Sequence, residues 1–121
     1  MRIIYVKKDA FPEYLRDGED NGSGIILTRS FYTAKDIVSD GLPTIVLADN
    51  VSYSGAHPIA YATILKRETV ANIIFLIVSR GEPVAFGQDI DGVLTMRSGL
   101  LIFGQLVRLA RAFVDALVYK P

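Results

Sequence analysis

The side chains of this chain that could take part in chemistry come where apolar runs end. Lys7 and Lys8 follow the first run, Asp49 follows the third and Ser79 follows the fourth. Apolar runs without polar alternation are typical of strands covered on both faces of a parallel sheet. Because ligands and catalytic groups gather at the carboxyl ends of such strands, we expect these residues at one edge. A carboxylate near two ammonium groups indicates binding or ion pairing rather than metal chemistry.

Five apolar runs predict five buried strands, with helix-like segments between them. The predicted strands are Ile3–Val6, Gly24–Thr28, Thr44–Ala48, Ile73–Val78 and Gly92–Thr95. The predicted helices are Phe11–Glu19, Phe31–Ser39, Ala56–Lys66, a short piece near Glu82–Gln88, and Gly99–Val118. Strand and helix alternating in a chain this short predict an α/β fold, with helices on both faces of a five-stranded parallel sheet. The simplest such fold is a flavodoxin-like (βα)5 three-layer sandwich.

Residues that commonly start or stop a helix support these boundaries. Ser30 is a candidate N-cap, Pro58 falls in a first turn, and the pair Asp40-Gly41 closes a helix. His57 has no second histidine and no cysteine as a partner, so we expect a surface residue rather than a catalytic or metal-binding one.

Composition limits the kinds of function that are open to the chain. At 121 residues we expect one domain, and 13 basic against 13 acidic side chains leave no bulk charge to attract nucleic acid. The run Ile73–Val78 is far shorter than the roughly 20 apolar residues that cross a bilayer. Cysteine is absent, which agrees with a reducing compartment. We therefore expect a soluble cytoplasmic domain that binds neither nucleic acid nor membranes and needs no cofactor.

Two segments resemble the receiver domain of bacterial response regulators. Leu42–Asp49 resembles the family's proline, apolar strand and terminal phospho-accepting aspartate, and Asp49 takes the acceptor's position. Ile74–Ser79 ends in a hydroxyl residue, as the family's fourth strand does, and Ser79–Glu82 resembles the loop that follows. The resemblance spans the whole chain and implies a role in two-component signalling or a phosphorelay.

The first strand departs from the family where receivers bind Mg²⁺. Receivers carry an acidic pair there, because Mg²⁺ prefers oxygen ligands, whereas this chain has Lys7 and Lys8. A unit charge about 4 Å away is worth about 4 kcal/mol at an effective dielectric near 20, so this exchange turns attraction for the metal into repulsion. Either lysine could instead pair with Asp49 in the metal's place, or both could point into solvent.

The fifth strand departs from the family as well. The family's phosphoryl-binding lysine falls at Met96, beside Arg97, and its switch aromatic falls at Val93. Only about 17 positions separate Ser79 from Met96, fewer than receivers usually have, so we expect a fourth helix that is shortened or absent.

These departures favour a degenerate receiver, or pseudo-receiver, that binds a protein partner or an output domain and is not an enzyme. Two alternatives stay open. One is a working receiver in a phosphorelay, with Asp49 as the phosphate acceptor. The other is a flavodoxin-like protein that binds a small ligand or an anion, which two lysines could attract.

The last helix carries more apolar surface than an outer helix needs to cover a sheet. One explanation is an interface, with a homodimer as the first expectation, because contiguous exposed apolar surface is rare on soluble monomers. The other is that the helix lies deeper in a fold that has lost its fourth helix. The interface residues predicted from this surface are Leu101, Phe103, Val107, Ala110, Val114 and Val118.

Overall fold

Strands and helices alternate along the chain, as the apolar runs predict. The computed structural model describes residues 1–8, 17–18, 24–96 and 103–118, the last without the side chains of its two end residues. Within these residues the elements are, in order, β1 (Arg2–Val6), β2 (Ile26–Thr28), α1 (Phe31–Val38), β3 (Thr44–Asp49), α2 (Pro58–Glu68), β4 (Ile73–Ser79), β5 (Gly92–Thr95) and α3 (Phe103–Val118).

The five strands form one parallel sheet in the order β2-β1-β3-β4-β5. The predicted α/β, flavodoxin-like sheet is thereby confirmed, with fewer helices than strands. β1 lies between β2 and β3, so the chain leaves β1 toward one edge and later returns to its other side. Such a reversal opens a crevice at the carboxyl ends of the two strands that flank it, here β1 and β3.

Side-chain alternation along the strands fills two separate cores. Ile4 and Val6 of β1 face the side covered by α1 and α2, which contribute Ala34 and Leu65 among others. Ile3 and Tyr5, which alternate with them on β1, face the side covered by α3, which contributes Leu106. Burial of one such large apolar side chain stabilises the fold by about 1.5–3 kcal/mol. The result is the three-layer arrangement expected from the sequence.

The helix starts follow the predicted signals, with one addition. Ser30 caps α1, since its Oγ accepts hydrogen bonds from the backbone N–H groups of Tyr32 and Thr33 at 3.1 and 3.5 Å. Pro58 is the first residue of α2, as predicted. His57, expected only as a surface residue, is half-buried and caps α2, with Nδ1 accepting from the Ile59 N–H at 3.2 Å.

The loss of the fourth helix is confirmed, because residues 80–91 join β4 to β5 without a helix. The short helix placed near Glu82–Gln88 is therefore wrong. Gly87 packs so closely on α2 that a Cβ there would lie 2.8 Å from the Ile59 side chain. Gly81 has φ +108°, which only glycine adopts readily. An α-helix needs negative φ at every residue, so the helix cannot include this position. Of the predicted helix Phe11–Glu19, only residues 17–18 are described, and they form a turn.

α3 packs tightly against the sheet. Ala110 is fully buried, and Val107 and Val114 are partly buried against the same core. Gly92 of β5 lets the ring of Phe113 approach, since a Cβ there would lie 2.3 Å from that ring. In the part of the chain that the structure describes, no helix is long and apolar enough to cross a lipid bilayer.

The predicted interface therefore divides into two sets. Three of its members, Val107, Ala110 and Val114, contribute to the core of a single chain, in line with a helix that lies deep in the fold. Leu101 and the side chains of Phe103 and Val118 lie outside the described residues. Association through α3 stays a prediction, and it would have to use the helix positions that remain exposed.

Candidate functional site

The carboxyl ends of β1, β3 and β4 enclose a crevice of about 270 Å³, which we call the strand-end crevice. It brings Lys7, Lys8 and Asp49 together, as their positions at strand ends predict. The described residues that line it are Lys7, Lys8, Asp49, Asn50, Val51, Val78, Arg80 and Glu82. Lys7 is half-buried and Lys8 is exposed.

Asp49 accepts a hydrogen bond from Tyr5, a residue that the sequence reasoning did not single out. Tyr5 is fully buried in β1, and its hydroxyl donates to Oδ1 of Asp49. Burial, together with the negative charge of Asp49, raises the pKa of Tyr5 far above its ordinary value, so the phenol keeps its proton and stays a donor. A signal was present in the sequence, because a buried tyrosine hydroxyl usually needs a hydrogen-bond partner.

A second tyrosine fixes the backbone of Asp49. The hydroxyl of Tyr53 donates to the carbonyl oxygen of Val6 at 2.7 Å and accepts from the Asp49 N–H at 2.9 Å. Val6 and Ala48 form the last residue pair between β1 and β3, so this hydroxyl bridges the two strands just beyond that pair. Asp49 is thus held by one tyrosine through its side chain and by another through its backbone.

The tight turn that positions Tyr53 explains an unusual backbone conformation. Tyr53 and Ala56 exchange backbone hydrogen bonds of 2.8 and 3.0 Å across two residues, Ser54 and Gly55. Both have positive φ, +49° and +82°, as two-residue hairpin turns with this twist require. The strained Ser54 is therefore explained by the turn that places the tyrosine.

The electrostatics of the strand-end crevice disfavour a cation. Three basic side chains, Lys7, Lys8 and Arg80, line it with two carboxylates, Asp49 and Glu82. Both carboxylates already accept hydrogen bonds, Asp49 from Tyr5 and Glu82 from the Arg80 N–H at 3.0 Å. Among the residues that the structure describes, no group of three or more His, Asp or Glu side chains could hold a metal ion.

Ser79 lies at the end of β4, as predicted, but it does not line the strand-end crevice. Its side chain is buried, and its Oγ donates to the Glu82 carbonyl oxygen and accepts from the Gly81 N–H, both at 3.1 Å. The hydroxyl thus closes the turn after β4. Hydrogen bonds from backbone N–H groups, first that of Glu82 itself, lower the pKa of the Glu82 carboxyl.

Val93 and Met96, which the resemblance to receivers placed at the switch and lysine positions, are packing residues. Val93 is half-buried against the core under α1 and α2. Met96 is 3% exposed in the core under α3, and its N–H donates to the Ser79 carbonyl oxygen at 2.8 Å. Neither lines the strand-end crevice, and Arg97 lies outside the described residues.

A second crevice of about 230 Å³ adjoins the first at Lys8, and we call it the aromatic crevice. It is lined by Lys8, Arg29, Ser30, Phe31, Tyr32, Tyr53, Ser54 and Tyr61. Phe31 and Tyr61 stack with ring centroids 4.2 Å apart and planes 6° apart, and the Tyr61 hydroxyl donates to the Tyr53 carbonyl oxygen at 2.9 Å. The sequence did not predict this crevice, because its rings come from α1, α2 and the turn before α2.

In chemical terms, the strand-end crevice offers a carboxylate already bonded by a phenol, with ammonium and guanidinium groups in the same lining. That arrangement suits ion pairing or anion binding better than binding of a divalent cation. Comparison of the chain with known protein families, with curated proteins and with solved structures found no match in any of the three.

Proposed function

We propose that this chain is a pseudo-receiver, a signalling module of the two-component type that binds a protein and acts without phosphorylation of Asp49. The observation behind the proposal is the hydrogen bond from Tyr5 to Asp49, in a crevice that Lys7 and Lys8 also line. Asp49 then has a structural role, joining the ends of β1 and β3.

Electrostatics support this role for Asp49. Phosphoryl transfer to a carboxylate depends on neutralising the charge that develops, which a bound Mg²⁺ ordinarily does. Lys7 and Lys8 would each repel that ion, since two like unit charges 4 Å apart repel by about 4 kcal/mol at an effective dielectric near 20. The acceptor oxygen would also have to give up its bond to Tyr5, and a hydrogen bond to a charged group contributes about 1.5–3 kcal/mol.

The proposal includes a protein partner or output domain, a cytoplasmic location, and association through α3 as a homodimer. The zero net charge supports a protein partner over nucleic acid. On α3 the exposed positions combine small or apolar residues, such as Ala112 and Leu117, with charged ones such as Arg108 and Asp115. A mixed surface of this kind suits an interface that forms between separately folded chains.

An NMR titration tests the proposal against a phosphorylatable receiver. Beryllofluoride with Mg²⁺ mimics an aspartyl phosphate, so a pseudo-receiver should show no saturable shift of the Asp49 or Ser79 amides. Mg²⁺ alone and beryllofluoride alone serve as controls for non-specific effects. Saturable shifts centred on Asp49 that need both components would establish a working acceptor and overturn the proposal.

A further inference from the structure

The two crevices meet at Lys8 and differ in chemical character. Within the described part of the chain, Lys8 is the one residue common to both linings, and it is exposed, so its ammonium group can reach either crevice. Among the described residues, four of the eight that line the aromatic crevice are aromatic, whereas none of the eight that line the strand-end crevice is. A ligand that spans the junction would therefore place an apolar part on one side and a charged part on the other.

The aromatic crevice fits a single planar ring. Its volume of about 230 Å³ exceeds the roughly 150 Å³ that is enough to hold benzene in a protein cavity. Tyr61 is half-buried with its hydroxyl already bonded to the turn, and Tyr32 is 77% exposed at the rim. Ring-to-ring contacts contribute about 0.5–1.5 kcal/mol beyond the burial of apolar area.

The charge around the junction fits an anion. Among the residues that the structure describes, the two linings contain four basic side chains, Lys7, Lys8, Arg29 and Arg80, and two acidic ones, Asp49 and Glu82. Of these, the aromatic crevice has Lys8 and Arg29. Walls of low dielectric concentrate such a local charge and favour a ligand of opposite sign.

We propose that the two crevices together bind an aromatic phosphate monoester. The ring occupies the aromatic crevice beside Tyr32 and Tyr61, and the phosphate lies at the junction, within reach of Lys8. A phosphate dianion is attracted by the ammonium group of Lys8, and the ring fills a space that a free phosphate would leave in contact with water. This ligand does not depend on phosphorylation of Asp49, so the site stands or falls separately from the pseudo-receiver role.

The test is an NMR titration of the intact chain with phenyl phosphate, with inorganic phosphate and phenol as its two separate halves. We expect phenyl phosphate to shift the amides of Ser30, Tyr53 and Ser54 saturably. Each half alone should bind at least about tenfold more weakly, because it keeps only one of the two contacts. Absence of a saturable shift with phenyl phosphate, or equal binding of phenyl phosphate and inorganic phosphate, would overturn the proposal.

Two exposed residues allow the contacts to be removed without damage to the core. Lys8→Gln should weaken binding of phenyl phosphate by about tenfold, the loss expected for one charge-assisted hydrogen bond. Tyr32→Ala should weaken binding of phenyl phosphate and leave the weak binding of inorganic phosphate unchanged.

Matched controls come from exposed residues outside both linings. Arg67→Gln removes a positive charge at the far end of α2, and Phe86→Ala removes an exposed ring from the loop before β5. Both should leave the affinity for phenyl phosphate unchanged. If Arg67→Gln weakened binding as much as Lys8→Gln does, the attraction would be a general charge effect and the site would be refuted.

Discussion

The hydroxyl of Tyr5, fully buried in β1, donates a hydrogen bond to the carboxylate of Asp49 at the end of β3. In the proposed pseudo-receiver, this bond engages the carboxylate at the phosphate acceptor's position. Because burial keeps the phenol protonated, the hydroxyl stays a donor across the ordinary pH range.

Tyr5→Phe should destabilise the chain by about 1–3 kcal/mol, since Asp49 loses one hydrogen-bond donor in a partly buried place. Urea unfolding followed by circular dichroism measures the change. Tyr32→Phe removes a hydroxyl from a ring that is 77% exposed and should change stability by less than about 0.5 kcal/mol. Equal stability of the two variants would show that the Tyr5 contact contributes nothing.

Tyr53→Phe should release the backbone of Asp49. The variant loses both the bond to the Val6 carbonyl oxygen and the bond from the Asp49 N–H. We expect faster hydrogen exchange at the Asp49 amide, together with a loss of about 1–3 kcal/mol for each buried group left unpaired. Unchanged protection of that amide would contradict the bridge between the strand ends, and Tyr32→Phe again serves as the control.

Lys7→Asp together with Lys8→Asp should create affinity for Mg²⁺, because carboxylates at those positions face the crevice that Asp49 lines. Mg²⁺ should then shift the Asp49 amide in a saturable manner. The matched control, Lys7→Gln with Lys8→Gln, removes the positive charges without adding oxygen anions and should bind the ion far more weakly. If the original chain bound Mg²⁺ as tightly as the aspartate variant, repulsion by the lysines would not explain the site.

Asp40, which pairs with Arg2 at the amino end of β1, should make the free energy of unfolding sensitive to acid. Its carboxylate accepts two hydrogen bonds from the Arg2 guanidinium, at 2.7 and 2.9 Å, which hold the pKa of Asp40 at about 2, below its ordinary 3.8. Because the folded pKa is depressed, this contribution is present above pH 3.8 and is lost as the pH falls toward 2.

Unfolding free energies measured across that range check the contribution. Asp40→Asn should be less stable than the original chain near neutral pH, and the difference should shrink as the pH falls through the window. Asp36→Asn, at an exposed position on α1, is the control and should run parallel to the original chain. If the difference in unfolding free energy between Asp40→Asn and the original chain stayed constant with pH, the Arg2–Asp40 ion pair would not be the cause of the acid sensitivity.

The proposed dimer through α3 predicts a mass near twice that of one chain in light scattering at high concentration. Leu117→Glu places a charge on a helix residue that is 42% exposed and should shift the equilibrium toward the monomer. Val70→Glu, at an 89% exposed position outside the helices, should have no such effect. A chain that stays monomeric through the whole dilution series would contradict the dimer.

Much of the fold could be predicted because buried parallel strands leave a direct mark on the sequence. The strand Gly92–Thr95 is confirmed without change of boundary, and Ser30 caps a helix as predicted. The Tyr5–Asp49 bond could not be predicted in the same way. It depends on the register that pairs Tyr5 with Leu47, two residues before Asp49, and apolar runs do not fix that register.

Acetyl phosphate, a small phosphate donor, shows in the presence of Mg²⁺ whether Asp49 can accept a phosphoryl group. Intact-mass spectrometry of the chain, beside an Asp49→Asn variant, would detect a single added phosphoryl group. We expect the original chain and the Asp49→Asn variant each to keep its unmodified mass. A phosphoryl group on the original chain that is absent from the Asp49→Asn variant would contradict it.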